Sequence, residues 1–507
     1  MYLNLFFDYK NGVHMFRFIL VCLFVSVNLN AEIKLSSLFK DRAVLQRDMK
    51  VPVWGWAEAG AKISVSIKGK TAVGTANDRG EWRVDLPELE AGGPFEMSVS
   101  DGSETLTLKD ILVGEVWICS GQSNMDMNYN SIPEYKPIVA ESAKLPVRSF
   151  MVEKFVAFEK QKTLNGEWEN KICSSAVGAS FSYHLQKALN VPVGIIQTSW
   201  GSSSLEGWMP KDFTEKLPHF KAAMESFEAN DREKVSGLLK DCRDKNGRIT
   251  WAKNDNIYMR TRPNILYNAM MHPLIPYACR GIAWYQGEAN TRSLETMLQY
   301  KESLQTWLKY LRQSWNREDF HLMPVMLPRF NKIHKGGASM ETDHPAARSW
   351  AYMRESMIGI TELPGTAIVN TIDLGMLKNI HPKDKLPIGY RMTQLALKNI
   401  HGMEVTPQGP AYKAMKIEGN KAVLTFEYSK GLQTKDGKAP SSFWIAGEDK
   451  KWFKADAKIL DETIVLSAKE VSEPAAVRYA FSAFPEVNLL NEAKLPALPF
   501  RTDKWEP

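Results

Sequence analysis

The hydrophobic pattern of the N-terminal region after residue 31 is that of a β domain. From residue 32 to residue 112, apolar and polar residues alternate, as in residues 63–67 (ISVSI). This period of two is typical of strands with one buried face. Turn-forming sequences separate the alternating runs at residues 77–80 (NDRG) and 100–103 (SDGS). We therefore predict a small antiparallel β domain of the sandwich type over residues 32–112.

Beyond residue 112 the pattern changes to continuous apolar runs that alternate with helical periodicity, which is typical of a parallel sheet covered on both faces. The runs predicted as strands are residues 113–119, 193–198, 281–285, 321–327 and 366–372. Helical spacing of apolar residues lies between them, as at Phe181, Leu185 and Leu189. The fold class predicted for residues 113–403 is therefore α/β, with three layers in the order α/β/α.

Two further segments complete the organisation. Residues 211–254 are richly charged, with aromatic and Met residues at helical spacing within 220–227, and we predict a helical insertion there. Alternation returns after residue 403, with a hairpin turn at residues 418–420 (EGN) before the alternating run 424–428. The sequence therefore predicts a C-terminal β-rich region over residues 404–507.

Residues 1–31 have the composition of a secretory signal. Arg17 supplies a basic lead to the apolar run 18–27, and Ala31 offers a small residue for cleavage. The run is too short for a permanent membrane span, which needs about 20 apolar residues. A lipid anchor on Cys22 is disfavoured because the preceding residues are large. We expect an exported protein, periplasmic or extracellular, without a membrane anchor.

Charge and cysteine content make several classes of function less favoured. The formal net charge of +6 is spread along the chain without a basic block, which disfavours a nucleic-acid partner. The cysteines beyond the signal, Cys119, Cys173, Cys242 and Cys279, form no CxxC pair. They indicate neither a metal site nor a disulfide framework, although a single disulfide stays open.

Small polar residues follow the first predicted strand of the α/β region, where Gly121 and Gln122 lead to Ser123. Ligand sites in such sheets form at the carboxyl ends of strands, so Ser123 is a candidate nucleophile. The alternative is that Ser123 caps the following helix. The sequence is not the G-x-S-x-G elbow of other hydrolases, because Met125 stands at the last position.

A serine nucleophile needs a neighbouring base. His381 follows the last predicted strand and is the candidate, with a surface loop histidine as its alternative. His272 is interpreted as structural. Donors for a developing oxyanion are available at two other strand ends, from the backbone N–H of Gly201 and the side chain of Asn290. Each alone is weak evidence, but Ser, Gly, Asn and His at successive strand ends favour ester hydrolysis.

These residues lie in motifs that resemble the SGNH hydrolases, specifically the sialate O-acetylesterase-like carbohydrate esterases. The matching motifs are VLQRDMKVPVWGWA (44–57), GEVWICSGQSNM (114–125), PVGIIQTSWGSSSLEGW (192–208), LYNAMMHPL (266–274), GIAWYQGEAN (281–290), NIHPKDK (379–385) and KLPALPFRTD (494–503). The resemblance implies a flavodoxin-like α/β/α core between β-sandwich-like regions. It also implies removal of O-acetyl groups from sugars without a metal or other cofactor.

Residue by residue, the resemblance implies that Ser123 is the nucleophile and His381 the base. The oxyanion hole is then formed by the backbone N–H groups of Ser123 and Gly201 and by Asn290. One position departs from the family, because Lys378 stands where many relatives carry an Asp three residues before the histidine.

The group that orients His381 is therefore open. Glu288 is the first candidate, because related acetylesterases use the Glu of this loop. Asp373 and Asp384 are alternatives, and a backbone carbonyl could also suffice, which would leave a Ser-His dyad.

The resemblance implies an O-acetylated sugar or glycan as the substrate, and the residues predicted to contact it are Gln122, Gln286, Trp208 and Tyr285. A sialic acid, for example acetylated at O9, also needs a cationic partner for its carboxylate. A hemicellulose esterase such as an acetylxylan esterase is the nearest alternative. A carbohydrate-binding protein without catalysis is the alternative from another class.

Overall fold

The computed structural model describes residues 32–240, 242–243, 249–250 and 253–507. The secretory signal predicted over residues 1–31, with Cys22, lies outside the described residues. Along the described stretches, no helix combines the length and the hydropathy that crossing a membrane requires.

The N-terminal region is β structure, as the alternation predicts, and its strand pairs are antiparallel except for the parallel pair β2–β8. Its strands are β1 (Lys34–Leu35), β2 (Val44–Gln46), β3 (Val51–Trp56), β4 (Lys62–Ile67), β5 (Lys70–Thr75), β6 (Glu81–Leu86), β7 (Gly92–Ser100) and β8 (Thr105–Gly121). The two predicted turns join β5 to β6 and β7 to β8. Strand β8 continues into the central sheet, so the boundary predicted at residue 112 falls inside one unbroken strand.

The central sheet forms around the second half of β8. It adds β9 (Val147–Met151), β10 (Trp168–Glu169), β11 (Val193–Ser199), β12 (Gly281–Tyr285) and β13 (His321–Pro324), in the spatial order β10-β9-β11-β8-β12-β13. All pairs except β10-β9 are parallel. The carboxyl ends of β11, β8 and β12 therefore lie side by side, and the predicted α/β class is confirmed.

Residues 366–372 differ from the prediction of a fifth parallel strand. They run beside β13 but pair with it only through isolated bridges, among them those at Thr366 and Val369. Pro324 has no N–H to donate, which interrupts the ladder, while its carbonyl accepts from Val369 N–H (2.9 Å). Strand β9 is the opposite case, because its sequence VRSFM carries a charge and was not predicted as a strand.

Helices cover both faces of this sheet. They are α1 (Ser123–Asp126), α2 (Lys136–Ser142), α3 (Ala176–Leu189), α4 (Lys211–Thr214), α5 (Lys221–Ser226), α6 (Arg232–Lys240), α7 (Lys253–Arg260), α8 (Leu294–Leu298), α9 (Tyr300–Trp315), α10 (Ala351–Ile358) and α11 (Leu386–Asn399). Trp117 of β8 packs on Phe181 of α3, with ring centroids 5.4 Å apart. Trp284 of β12 packs on Trp307 of α9 at 4.4 Å. The strand register turns these two tryptophans to opposite faces, which gives the three layers.

The insertion predicted over residues 211–254 contains α4, α5 and α6 in its described part, and α7 then leads back towards the core. The C-terminal region is antiparallel, with β14 (Ala411–Glu418), β15 (Lys421–Glu427), β16 (Gln433–Thr434), β17 (Phe443–Ala446), β18 (Trp452–Lys454), β19 (Asp456–Leu460), β20 (Thr463–Ser467), β21 (Ala476–Tyr479), β22 (Leu489–Leu490) and β23 (Phe500–Arg501). The predicted EGN turn joins β14 to β15.

Candidate active site

Gly121 brings the end of β8 against the end of β12. Its φ is 137°, and a Cβ at this position would lie 2.1 Å from the carbonyl oxygen of Tyr285. The N–H of Gln122 donates to that same oxygen at 2.9 Å. Only glycine tolerates this approach, and the chain then turns sharply so that Ser123 opens α1 at the edge of the sheet.

Ser123 and His381 are in hydrogen-bond contact. The serine Oγ lies 2.7 Å from the imidazole Nε2, although 258 residues separate them in sequence. Gln122, not Ser123, occupies the N-cap position of α1, so the alternative role of Ser123 as a helix cap does not apply. The histidine loop is braced locally, because the His381 N–H donates to Asn379 Oδ1 at 2.9 Å. A serine hydroxyl and an imidazole from two loops are thus placed to share one proton.

The environment of His381 favours the neutral imidazole that a general base requires. Partial burial lowers its pKa, and the positive charge of Lys385 lowers it further. Lys385 is itself fully buried, and burial lowers its pKa to about 7 against the opposing attraction of Glu288 and Asp384.

None of the three candidate carboxylates contacts the imidazole. Glu288 accepts a hydrogen bond from the Asn124 side chain instead. Asp373 forms a two-point ion pair with Arg391, at 2.7 and 2.6 Å. Asp384 is exposed. Within the described stretches of chain, no group hydrogen-bonds to Nδ1 of His381, so the contacts are those of a Ser-His pair, and no direct contact supports the orienting role predicted for Glu288.

Asn124 connects the surroundings of the dyad. Its Nδ2 donates to Glu288 and, at 3.0 Å, to the carbonyl oxygen of Ile380, the residue before His381. Its Oδ1 accepts from Lys385 Nζ at 2.6 Å. One buried amide therefore fixes the loop of the base relative to the nucleophile. Sequence reasoning missed Asn124 and Lys385, although both lie in the motifs GQSN and NIHPKDK.

Glu288 lies in a poorly neutralised environment. Burial raises the pKa of its carboxyl, while the Asn124 hydrogen bond and the attraction of Lys385 only partly oppose that effect. Its Oε2 is buried and has no hydrogen-bond partner among the described residues. The ammonium of Lys385 also lies over the Tyr285 ring, 5.0 Å from its centroid.

Of the predicted oxyanion donors, Gly201 lies beside Ser123, and the side chain of Asn290 is held in a fixed orientation. A Cβ at Gly201 would lie 3.3 Å from Cβ of Ser123, so this backbone passes directly beside the nucleophile. Asn290 Oδ1 accepts from Leu205 N–H (3.0 Å), and its Nδ2 donates to Glu206 (3.1 Å). The amide orientation is thereby fixed, and one N–H of Nδ2 remains for a ligand.

The four side chains predicted to contact the sugar are buried: Gln122, Gln286, Trp208 and Tyr285. Gln122 Oε1 accepts from Gln286 Nε2 and from Ala289 N–H, both at 3.2 Å. Trp208 donates to Ser203 Oγ at 2.8 Å. Gln122, Gln286 and Trp208 therefore form hydrogen bonds with the loops at the strand ends.

Metal chemistry needs a set of ligands in one place. Across the described residues, no three His, Cys, Asp or Glu side chains come together in a group that could hold a metal ion. The four described cysteines are buried, and Cys119, Cys173 and Cys279 are free thiols.

Comparison with known proteins agrees with this geometry. A family model described as "carbohydrate esterase, sialic acid-specific acetylesterase" (SASA) matches residues 113–241 and 242–393. The crystal structure of a carbohydrate acetylesterase from Xanthomonas citri is similar over 94% of this chain and 100% of its own, with 32% identity and a TM-score of 0.77. The sialate O-acetylesterases of mouse and human are each 24% identical over 89% of this chain and 90% and 88% of theirs. The chain therefore belongs to the SASA family of carbohydrate esterases, which are carboxylic ester hydrolases that act on acetylated carbohydrates.

Proposed function

We propose that this esterase removes O-acetyl groups from sialic acids, with the 9-O-acetyl ester as its substrate, through an acetyl-enzyme on Ser123. The observation that carries the chemistry is the 2.7 Å contact between Ser123 Oγ and His381 Nε2. A hydroxyl at this distance can transfer its proton as it attacks, and a positioned base of this kind contributes about 10²–10⁴-fold.

In the first half-reaction, His381 takes the proton of Ser123 while Oγ bonds to the acetyl carbonyl carbon. The carbonyl oxygen becomes an oxyanion that accepts hydrogen bonds from the N–H groups of Ser123 and Gly201 and from Asn290. Loss of one such donor costs on the order of 10²–10³-fold in kcat. The tetrahedral intermediate then collapses, and the sugar oxygen leaves with the proton held by His381.

In the second half-reaction, the neutral His381 accepts a proton from water, which attacks the acetyl group on Ser123. Collapse of the second intermediate returns the proton to Oγ and releases acetate. The lowered pKa of His381 supports both steps, because burial and the charge of Lys385 disfavour the protonated ring.

The sialate assignment is supported by the description of the matching family and by the activity named for the mouse and human relatives. Export is part of the proposal and is supported by the secretory composition of residues 15–31. Periplasmic and extracellular locations are equally consistent with that segment.

The substrate is tested by measuring acetate release from O-acetylated sialoglycans and from acetylated xylan, each with the wild type and Ser123→Ala. We expect release from the sialoglycan by the wild type only. Faster release from xylan would instead indicate a hemicellulose esterase.

A further assay separates catalysis from binding. If neither the wild type nor Ser123→Ala hydrolyses p-nitrophenyl acetate, the protein is a carbohydrate-binding protein and the esterase proposal fails. If Ser123→Ala hydrolysed p-nitrophenyl acetate as fast as the wild type, Ser123 would not be the nucleophile.

A further inference from the structure

Arg260 at the end of α7 reaches the nucleophile from outside the predicted motifs. The helix is held against the loop after β11, because Trp200 Nε1 donates to Asn256 Oδ1 at 3.0 Å. Asn256 and Arg260 are four residues apart and therefore lie on the same side of the helix. The anchored helix thus brings the arginine to the loop that contains Gly201.

The distances place the guanidinium at the catalytic serine. The point where Gly201 would carry a Cβ lies 3.3 Å from Ser123 Cβ and 3.7 Å from Nη1 of Arg260. Nη1 is therefore within about 7 Å of the nucleophile's Cβ. The absence of a side chain at Gly201 leaves the space between the guanidinium and the serine open.

Among the described residues, the guanidinium has no hydrogen-bond or ion-pair partner. Its Nε is buried without an acceptor there. Burial lowers the Arg260 pKa, and only the attraction of Asp126 opposes this. Asp126 is already engaged by Lys154 (2.6 Å) and Ser199 Oγ (3.0 Å).

Arg262, two residues further along the chain, shows how a partly buried arginine is usually neutralised. It is ion-paired to Asp231, with Nη1 2.5 Å from Oδ2. A half-buried guanidinium that lacks such a partner bears a desolvation cost that an anionic ligand would offset. Planar guanidinium groups bind carboxylates through two parallel hydrogen bonds.

We propose that Arg260 binds the carboxylate of an acidic sugar whose O-acetyl group lies at Ser123. Arg260 is then the residue that selects acidic over neutral acetylated sugars. The inference rests on the proposed esterase function and adds to it the group that recognises the substrate's charge.

The test compares Arg260→Gln with the wild type on three substrates: an O-acetylated sialic acid, its carboxyl methyl ester, and an O-acetylated neutral sugar. We expect kcat/KM for the free acid to fall roughly 10- to 100-fold, as for a lost charge-assisted hydrogen bond. The methyl ester and the neutral sugar should change less than about twofold. Arg232→Gln removes the same charge from a partly exposed arginine of α6 that is paired with Glu228. It is the control and should leave all three unchanged.

Three outcomes overturn the inference. An equal fall on all substrates would make Arg260 an oxyanion or folding residue, and thermal melting of the variant separates these two. An unchanged preference for the free acid would place carboxylate recognition elsewhere. Wild-type hydrolysis of p-nitrophenyl acetate and neutral esters without any preference for the acid would refute the role of Arg260 while leaving the esterase chemistry intact.

Discussion

The two ends of the central parallel sheet hold a buried glutamate in opposite ways. At the amino end of the parallel strands, Glu115 is 0% exposed and contacts Arg47 (2.6 Å) and Arg280 (3.0 Å). Burial raises its pKa, but the hydrogen bonds and charges of the two arginines outweigh that effect, and the pKa is lowered overall. At the carboxyl end, Glu288 contacts an amide instead of a cation, and its pKa is raised.

The difference shows which end of the sheet carries stability and which carries chemistry. The carboxylate of Glu115 is paired with two arginines and has no acceptor position left for a ligand. Near the incompletely neutralised Glu288, burial lowers the pKa values of both His381 and Lys385. Clusters of perturbed groups of this kind are typical of active sites.

The largest expected effect compares the histidines at these two ends. Replacing His381 by Ala removes the proton acceptor of Ser123, and we expect kcat/KM to fall on the order of 10²–10⁴-fold. His401, which lies 3.8 Å from Glu115, should tolerate Ala with turnover within about twofold. Steady-state hydrolysis of an acetyl ester measures both. Comparable losses in the two variants would contradict the separation of roles.

The next effect concerns the two glutamates. Glu115→Gln leaves two arginines short of a buried counter-charge, which should cost about 3–5 kcal/mol of unfolding free energy while kcat is unchanged. Glu288→Gln keeps an oxygen that can accept from Asn124 and removes a poorly solvated charge, so its unfolding free energy should change by less than about 1 kcal/mol. Denaturant titrations at pH 7 measure both values, and similar costs would undo the comparison.

A smaller effect is expected when Asn124 is replaced by Ala. The loop of His381 then loses its hydrogen bond at Ile380, and the base shifts relative to Ser123. We expect kcat to fall on the order of 10²-fold, as for a misplacement of about 1 Å. Asn128→Ala, at an exposed position four residues along the chain, is the control. An active Asn124→Ala enzyme with a normal pH profile would show that the loop holds its position without the amide.

The smallest expected effect is a pH shift. Lys385 disfavours the protonated imidazole, so Lys385→Met should raise the pKa of His381. The base is active only when neutral, so activity is lost as pH falls through its pKa. The acidic limb of kcat/KM should therefore move to higher pH. Lys383→Met, at an exposed position, should leave the limb in place, and a shift to lower pH in Lys385→Met would reverse the assigned sign.

Much of the fold followed from local pattern. Alternation predicted strand β4, alternation with a turn sequence predicted the hairpin β14–β15, and helical spacing predicted α3. The strand predictions that failed did so because strand formation also depends on the strand that lies alongside in the sheet. Residues 366–372 lose strand character where Pro324 interrupts the ladder, and β9 forms because β11 offers it an edge.

The sequence by itself determined the residue types at the strand ends: a Ser after Gly121, a Gly after β11, an Asn after β12 and a His in the last loop. Their positions after strands can be read from the sequence, because strand periodicity is a property of residues that are close together in the chain. Only the tertiary structure decided that Asn124 and not Glu288 touches the loop of His381, and that Arg260 lies beside Gly201. Those contacts join residues dozens to hundreds of positions apart, and their geometry depends on how the helices and loops pack around the sheet.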